Sequence, residues 1–192
     1  MDRNDGVNNP QLILSVPDRH LARATRVIVY GRAAIALGYS DAAADVAATL
    51  DVDALLPSVE MAAIEADEQF WRALDATNRE LEPQGLYMTL THLFPDDQVI
   101  LTPDWLGRIV EIPSAEWKLA RVHRPATLDL ILTKMMREDP HDLADVGFLL
   151  RQEAIGPDSL GAAFAAARVP AFEEIERAFA ANQPRVLALA GG

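Results

Sequence analysis

The stretch Val27–Leu56, VIVYGRAAIALGYSDAAADVAATLDVDALL, decides how the chain is read. Val27–Tyr30 is a β-branched and aromatic run ending at Gly31, which predicts a short buried strand. Ala33–Leu37 follows without a break, and its alanines favour helix. The order is strand, glycine turn, helix. Gly38–Ala48, rich in Ala and Asp, reads as a connecting loop or helix end. Thr49–Leu56 then predicts a second strand, closed by Pro57 and Ser58, with Asp51 and Asp53 inside it. Residues two apart on a strand share a face. The two carboxylates are therefore expected to project together, while Leu50, Val52 and Ala54 face the core. Two acids that close repel unless a cation separates them, and a divalent ion serves that purpose. The glycine before the helix lets a phosphate approach the N–H groups of a helix N-terminus. A metal-bearing strand beside a phosphate turn suits phosphoryl transfer. A lone D-x-D is also what a solvated edge strand looks like.

Outward from this stretch, Pro10–Arg23 reads as an entry helix or loop. A long helix is expected from an N-cap at Ser58 towards Arg79, with Val59, Ala63, Ala66, Phe70 and Leu74 on one stripe. Further strands are expected at Leu86–Leu90, Arg108–Ile112 and Trp117–Val122, separated by Pro- and Asp-containing turns. The character changes at Pro125. Leu128, Ile131, Leu132 and Met135 form a helical stripe that leaves Lys134 off the core side. Asp139 and Pro140 then supply the cap and first position of another helix, lined by Leu143, Val146 and Leu150. Two more helices are expected at Ser159–Arg168 and Ala171–Ala181. The predicted class is α+β: a mixed β-sheet flanked by helices, with a helical C-terminal part. Residues 1–124 form the core in this reading, and 125–192 pack on it as one structural unit.

Composition narrows the chemistry. Half of the 192 residues are hydrophobic, enough for a real core, and no apolar run approaches the roughly 20 residues that span a bilayer. Met1–Pro10 is polar and lacks a basic start followed by an apolar run, so no signal peptide and no membrane partner are expected, and a cytoplasmic location is. The absence of cysteine excludes thiolate metal sites and a thiol nucleophile. Oxygen ligands of the kind present suit Mg²⁺ or Mn²⁺. The net charge of −12 disfavours a broad grip on nucleic acid. Arg108, Lys118, Arg121, Arg124, Lys134 and Arg137 concentrate the basic residues where a local polyanion contact is expected, although ordinary surface charge explains them as well. His20, His92, His123 and His141 show no zinc-ligand spacing.

VIVYGRAAIALGY…ATLDVDALL resembles the opening of the polymerase-β-like nucleotidyltransferase superfamily, in which a glycine-rich turn and a helix precede a strand bearing D-x-D. ATLDLILTKMMREDPHDLADVGFLLR resembles the second signature of AbiE-type toxin nucleotidyltransferases and related uncharacterised families. The resemblance covers roughly Arg26–Arg151. It implies transfer of a nucleotidyl group from an NTP to a hydroxyl on an RNA end, a protein or a small molecule, with Mg²⁺ or Mn²⁺ as cofactor. It also implies a toxin-like role with an antitoxin-like protein as partner. Asp51 and Asp53 would bind the metal, joined by Glu111 from a later strand. Gly31, Arg32 and Lys134 would meet the nucleotide phosphates, and Asp142 would hold Lys134 or contribute to the site, with Asp145 a further candidate. The family turn carries Gly or Ser where this chain has Arg32, which either adds a phosphate contact or blocks the turn. The alternative expectation is a catalytically degenerate relative that binds a nucleotide or a protein.

Overall fold

A computed structural model describes residues 8–88 and 94–191. The chain divides into two compact units, one of residues 1–94 and 110–124, the other of residues 95–109 and 125–192. Its class is mixed α/β. The first unit begins with helix α1 (Asn9–His20), strand β1 (Thr25–Val29) and helices α2 (Gly31–Gly38) and α3 (Ala44–Ala47). Strands β2 (Asp51–Val52) and β3 (Ala54–Leu56), helices α4 (Met61–Glu65) and α5 (Glu68–Leu81), and strands β4 (Tyr87–Met88) and β5 (Phe94–Pro95) follow. After the excursion of residues 95–109, β6 (Val110–Glu111) and β7 (Ala120–Arg124) complete the sheet.

The sheet runs in the order β5-β3-β1-β7-β6. β1 lies parallel to β7 and antiparallel to β3, and β6 is antiparallel to β7. Val27, Ile28 and Val29 are all buried, so the central strand is covered on both faces and reads as an unbroken apolar run. Asp18 anchors the approach to β7: its carboxylate accepts from the backbone N–H groups of Lys118, Leu119 and Ala120. Burial opposes ionisation there, but these N–H groups and the Lys118 charge outweigh it and hold the Asp18 carboxyl below its ordinary pKa.

Two expectations need correction in this unit. The strand over Thr49–Leu56 is interrupted at Asp53. β2 pairs with β4 in a separate two-stranded parallel sheet, and only β3 joins β1. Leu50, placed in the core by alternation, is 57% exposed, because it precedes β2 and serves the small sheet through its carbonyl, which accepts from Tyr87 N–H. The helix expected from Ser58 to Arg79 is broken as well. A single 3-10 turn and α4 end at Glu65, and Asp67 caps a fresh start by accepting from Phe70 N–H at 3.0 Å. Val59, assigned to the buried stripe, is 84% exposed. Residues 89 and 90 of the expected strand, and His92, lie outside the described residues.

The second unit carries helices α6 (Thr127–Thr133), α7 (Pro140–Gln152), α8 (Pro157–Ala166) and α9 (Glu173–Ala190). Asp139 caps α7 with Pro140 at its first position, as the local pattern requires. Residues 95–109, which pattern alone groups with the core, belong to this helical unit. Buried carboxylates tie them in. Asp129 is fully buried and accepts from Thr102 N–H (2.9 Å), Thr102 Oγ1 (2.8 Å) and Arg108 Nη2 (3.0 Å). Asp96 accepts from Trp105 Nε1 at 2.8 Å and Arg168 Nη2 at 3.2 Å, and Leu101 bridges to Arg168. The inward stripe of α6 is Leu130, Ile131 and Leu132, continued by Met135, with Leu128 only half-buried. No helix among the described residues is long and apolar enough to cross a membrane.

Candidate functional site

The site built around the resemblance starts at the carboxyl end of β1, the end of a parallel strand where ligands commonly bind in α/β sheets. Gly31 opens α2 in a left-handed conformation, φ 63°, which a residue with a Cβ adopts only under strain. α2 has no side-chain cap at its N-terminus, since Tyr30 occupies that position. Tyr30 N–H donates to the Asp53 carbonyl at 3.1 Å, which brings the break between β2 and β3 alongside the turn. A Cβ placed on Gly31 would lie 4.0 Å from Asp53 Oδ2, so the carboxylate of Asp53 stands beside the glycine. The glycine is required by its φ rather than by lack of space.

Asp51 and Asp53 are both half-buried, and Val52 and Ala54 between and after them are buried. Asp51 is fixed by its neighbour: Thr49 Oγ1 donates to Asp51 Oδ1 at 2.8 Å. Arg32 points its guanidinium towards α3, 3.7 Å from Asp45 Oδ2.

Glu111 does not join this site. It is an exposed residue of β6, opposite His123, and β6 is three strands away from β3. Three spacings of about 4.8 Å put these strands roughly 14 Å apart, too far for Glu111 and Asp53 to share an ion. Among the described residues, no group of three or more His or acidic side chains is gathered to hold a metal. Mg²⁺ is usually held by one or two carboxylates together with waters and substrate phosphates, and the donors here are hard oxygens.

Lys134, Asp142 and Asp145 form a second constellation, inside the helical unit. Lys134 follows α6, is 8% exposed, and is not off the core side as its helical position suggests. Its ammonium lies 2.9 Å from Asp142 Oδ1 and 2.7 Å from Asp145 Oδ2. Those acids are one turn apart on the same face of α7. Arg137 Nε donates to the other oxygen of Asp142 at 2.6 Å. Burial would raise the Asp142 pKa, but the Arg137 hydrogen bond and the Lys134 charge hold it below the ordinary range. Asn182 of α9 adds a hydrogen bond to the Arg137 carbonyl at 2.9 Å. The turn between α6 and α7 is thus clamped by polar groups.

Sequence reasoning missed Asp129, although it had a signal, a lone acid in the apolar run Leu128–Leu132. Arg124, grouped by sequence with the basic residues of a local polyanion contact or ordinary surface charge, is instead 7% exposed at the end of β7, with its guanidinium carbon 4.6 Å over the Tyr39 ring. No protein-family model, curated protein or solved structure matches the chain.

Proposed function

We propose that the chain is a divalent-metal-dependent nucleotidyltransferase, acting through Asp51 and Asp53 beside the Gly31 turn. The observation that carries the reading is the Asp53 carboxylate standing next to a left-handed glycine at the start of a helix without a side-chain cap. In this reading the N–H groups of that first turn would donate to nucleotide phosphates. Asp51, steadied by Thr49, and Asp53 would hold Mg²⁺ or Mn²⁺, which when bound neutralises charge gathering on the departing pyrophosphate. Arg32, 28% exposed, reaches the phosphates in this reading by leaving Asp45. The acceptor is a hydroxyl on RNA, protein or a small molecule. A toxin-like role with an antitoxin partner and a cytoplasmic setting rest on the family resemblance alone.

A second reading is favoured by two observations. The charge of Lys134 is already balanced by Asp142 and Asp145, and Arg32 already faces Asp45. A degenerate relative would keep Asp53 only as a polar support for the start of α2. Asp53→Asn separates the readings, because it keeps the size and the hydrogen-bonding capacity of the side chain but lacks the charge a metal needs. Transfer of label from each α-labelled NTP to cellular RNA and protein, with Mg²⁺ or Mn²⁺, is expected for the wild type. It should fall by about a hundredfold or more in Asp53→Asn with the melting temperature unchanged. Metal-independent labelling, or an Asp53→Asn protein as active as the wild type, would sink the enzyme reading.

A further inference from the structure

We propose that Arg124 is a positioning residue for the Gly31 turn, acting through the far end of α2; its functional meaning rests on the nucleotidyl-transfer reading above. β7 runs parallel to β1 with His123 opposite Ile28, so Arg124 comes level with Val29, just before the turn. The Arg124 side chain then passes under the C-terminal end of α2. A Cβ on Gly38 would lie 2.7 Å from both Cδ and Nε of Arg124, closer than side chains tolerate. The guanidinium continues to the face of Tyr39, 4.6 Å from the ring centre, an arrangement that strengthens when water is excluded. The last residue of α2 and the one after it thus close around a single buried cation.

At its other end α2 is fixed by Tyr30 N–H on the Asp53 carbonyl. A helix of eight residues is too short to hold its own shape in water, so the aim of its first-turn N–H groups depends on the buried Ala33, Ala34 and Ile35 and on these two end contacts. A turn already aimed need not be ordered when a phosphate arrives.

Gly38→Ala tests this by its sign. Gly38 lacks a left-handed φ, so alanine meets no backbone strain there and is the better helix former. If the Arg124 contact were idle, the substitution would slow amide exchange in α2. If Arg124 grips the helix, the new Cβ displaces it. Amides 33–38 should then exchange about tenfold faster while α5 is unchanged. Binding of MgATP and MgGTP, measured by calorimetry, should weaken by about tenfold. Tyr39→Leu, which removes the aromatic face and keeps the charge, should act in the same direction.

Exchange in α2 that is slowed or unaltered in Gly38→Ala overturns the grip. Faster exchange with unaltered nucleotide affinity leaves a structural contact and overturns the positioning role. A wild type that binds neither nucleotide defeats the parent reading and the positioning role with it, while the exchange result still decides the grip.

Discussion

Asp142 and Asp145 are 4% and 5% exposed with the Lys134 ammonium between them, whereas Asp51 and Asp53 stand half-exposed where a strand breaks. The first pair is closed: each acid has a cation within 3 Å, and Arg137 takes a further oxygen of Asp142. Such a cluster recovers in mutual attraction what it loses in hydration, and it is intolerant of losing a member. Asp51 receives a hydroxyl rather than a cation, and water still reaches it. Spacing in the sequence is nearly the same, D-x-D and D-x-x-D. Secondary structure makes the difference, since a helix puts residues three apart on one face, over one lysine, whereas the strand carrying Asp51 ends before Asp53.

Removing the lysine breaks this comparison most severely. Lys134→Met leaves two buried carboxylates facing each other and is expected to cost about 3–5 kcal/mol in urea denaturation of the helical unit. A cost below about 1 kcal/mol would show that the cluster is wetter than its burial indicates.

Acid should attack the same cluster by a smaller amount, because the cations remain. The folded pKa of Asp142 lies below its unfolded value, so its contribution is present above about pH 4 and is lost as pH falls further. Asp18 behaves likewise. Urea midpoints should therefore drop between about pH 4 and pH 2, and less steeply in Asp142→Asn. Equal slopes in the two proteins would remove Asp142 from the account.

At the turn, Gly31→Ala is expected to cost about 1 kcal/mol through the left-handed backbone, since its Cβ meets nothing closer than 4.0 Å. The smallest effect belongs to Asp51→Asn. Thr49 keeps an oxygen to donate to, so stability should change by less than about 1 kcal/mol even where activity is lost. A larger loss in thermal denaturation would mean that Asp51 is a structural acid like Asp142.

What was legible in the sequence follows from how local each cause is. Strand, turn and helix over Thr25–Gly38 come from β-branched residues, one glycine and an alanine run, all within a few positions. The start of α7 is equally local, written in Asp139 and Pro140. The break at Asp53 depends on two different partners, β4 and β1, which no pattern inside Thr49–Leu56 names. The restart at Asp67 was hidden because apolar spacing continued through it. Burial of Lys134 depends on acids eight and eleven residues later, and Glu111 passed as a ligand only because strand order was unknown. Residues 95–109 were misassigned because their anchors, Asp129 and Arg168, lie far along the chain.

The parallel pairing of β1 with β7 also governs when this protein can fold. Thr25 must wait for Ala120, 95 residues later, and Asp18 waits for the same segment. Contacts of that span form slowly, because a long loop must close before they contribute. During synthesis the apolar strand Val27–Val29 therefore emerges well before its parallel neighbour. Its exposed edge can pair with other chains throughout that interval. A truncation before Ala120 would make the interval permanent, yielding a chain that aggregates or occupies chaperones rather than a smaller working domain.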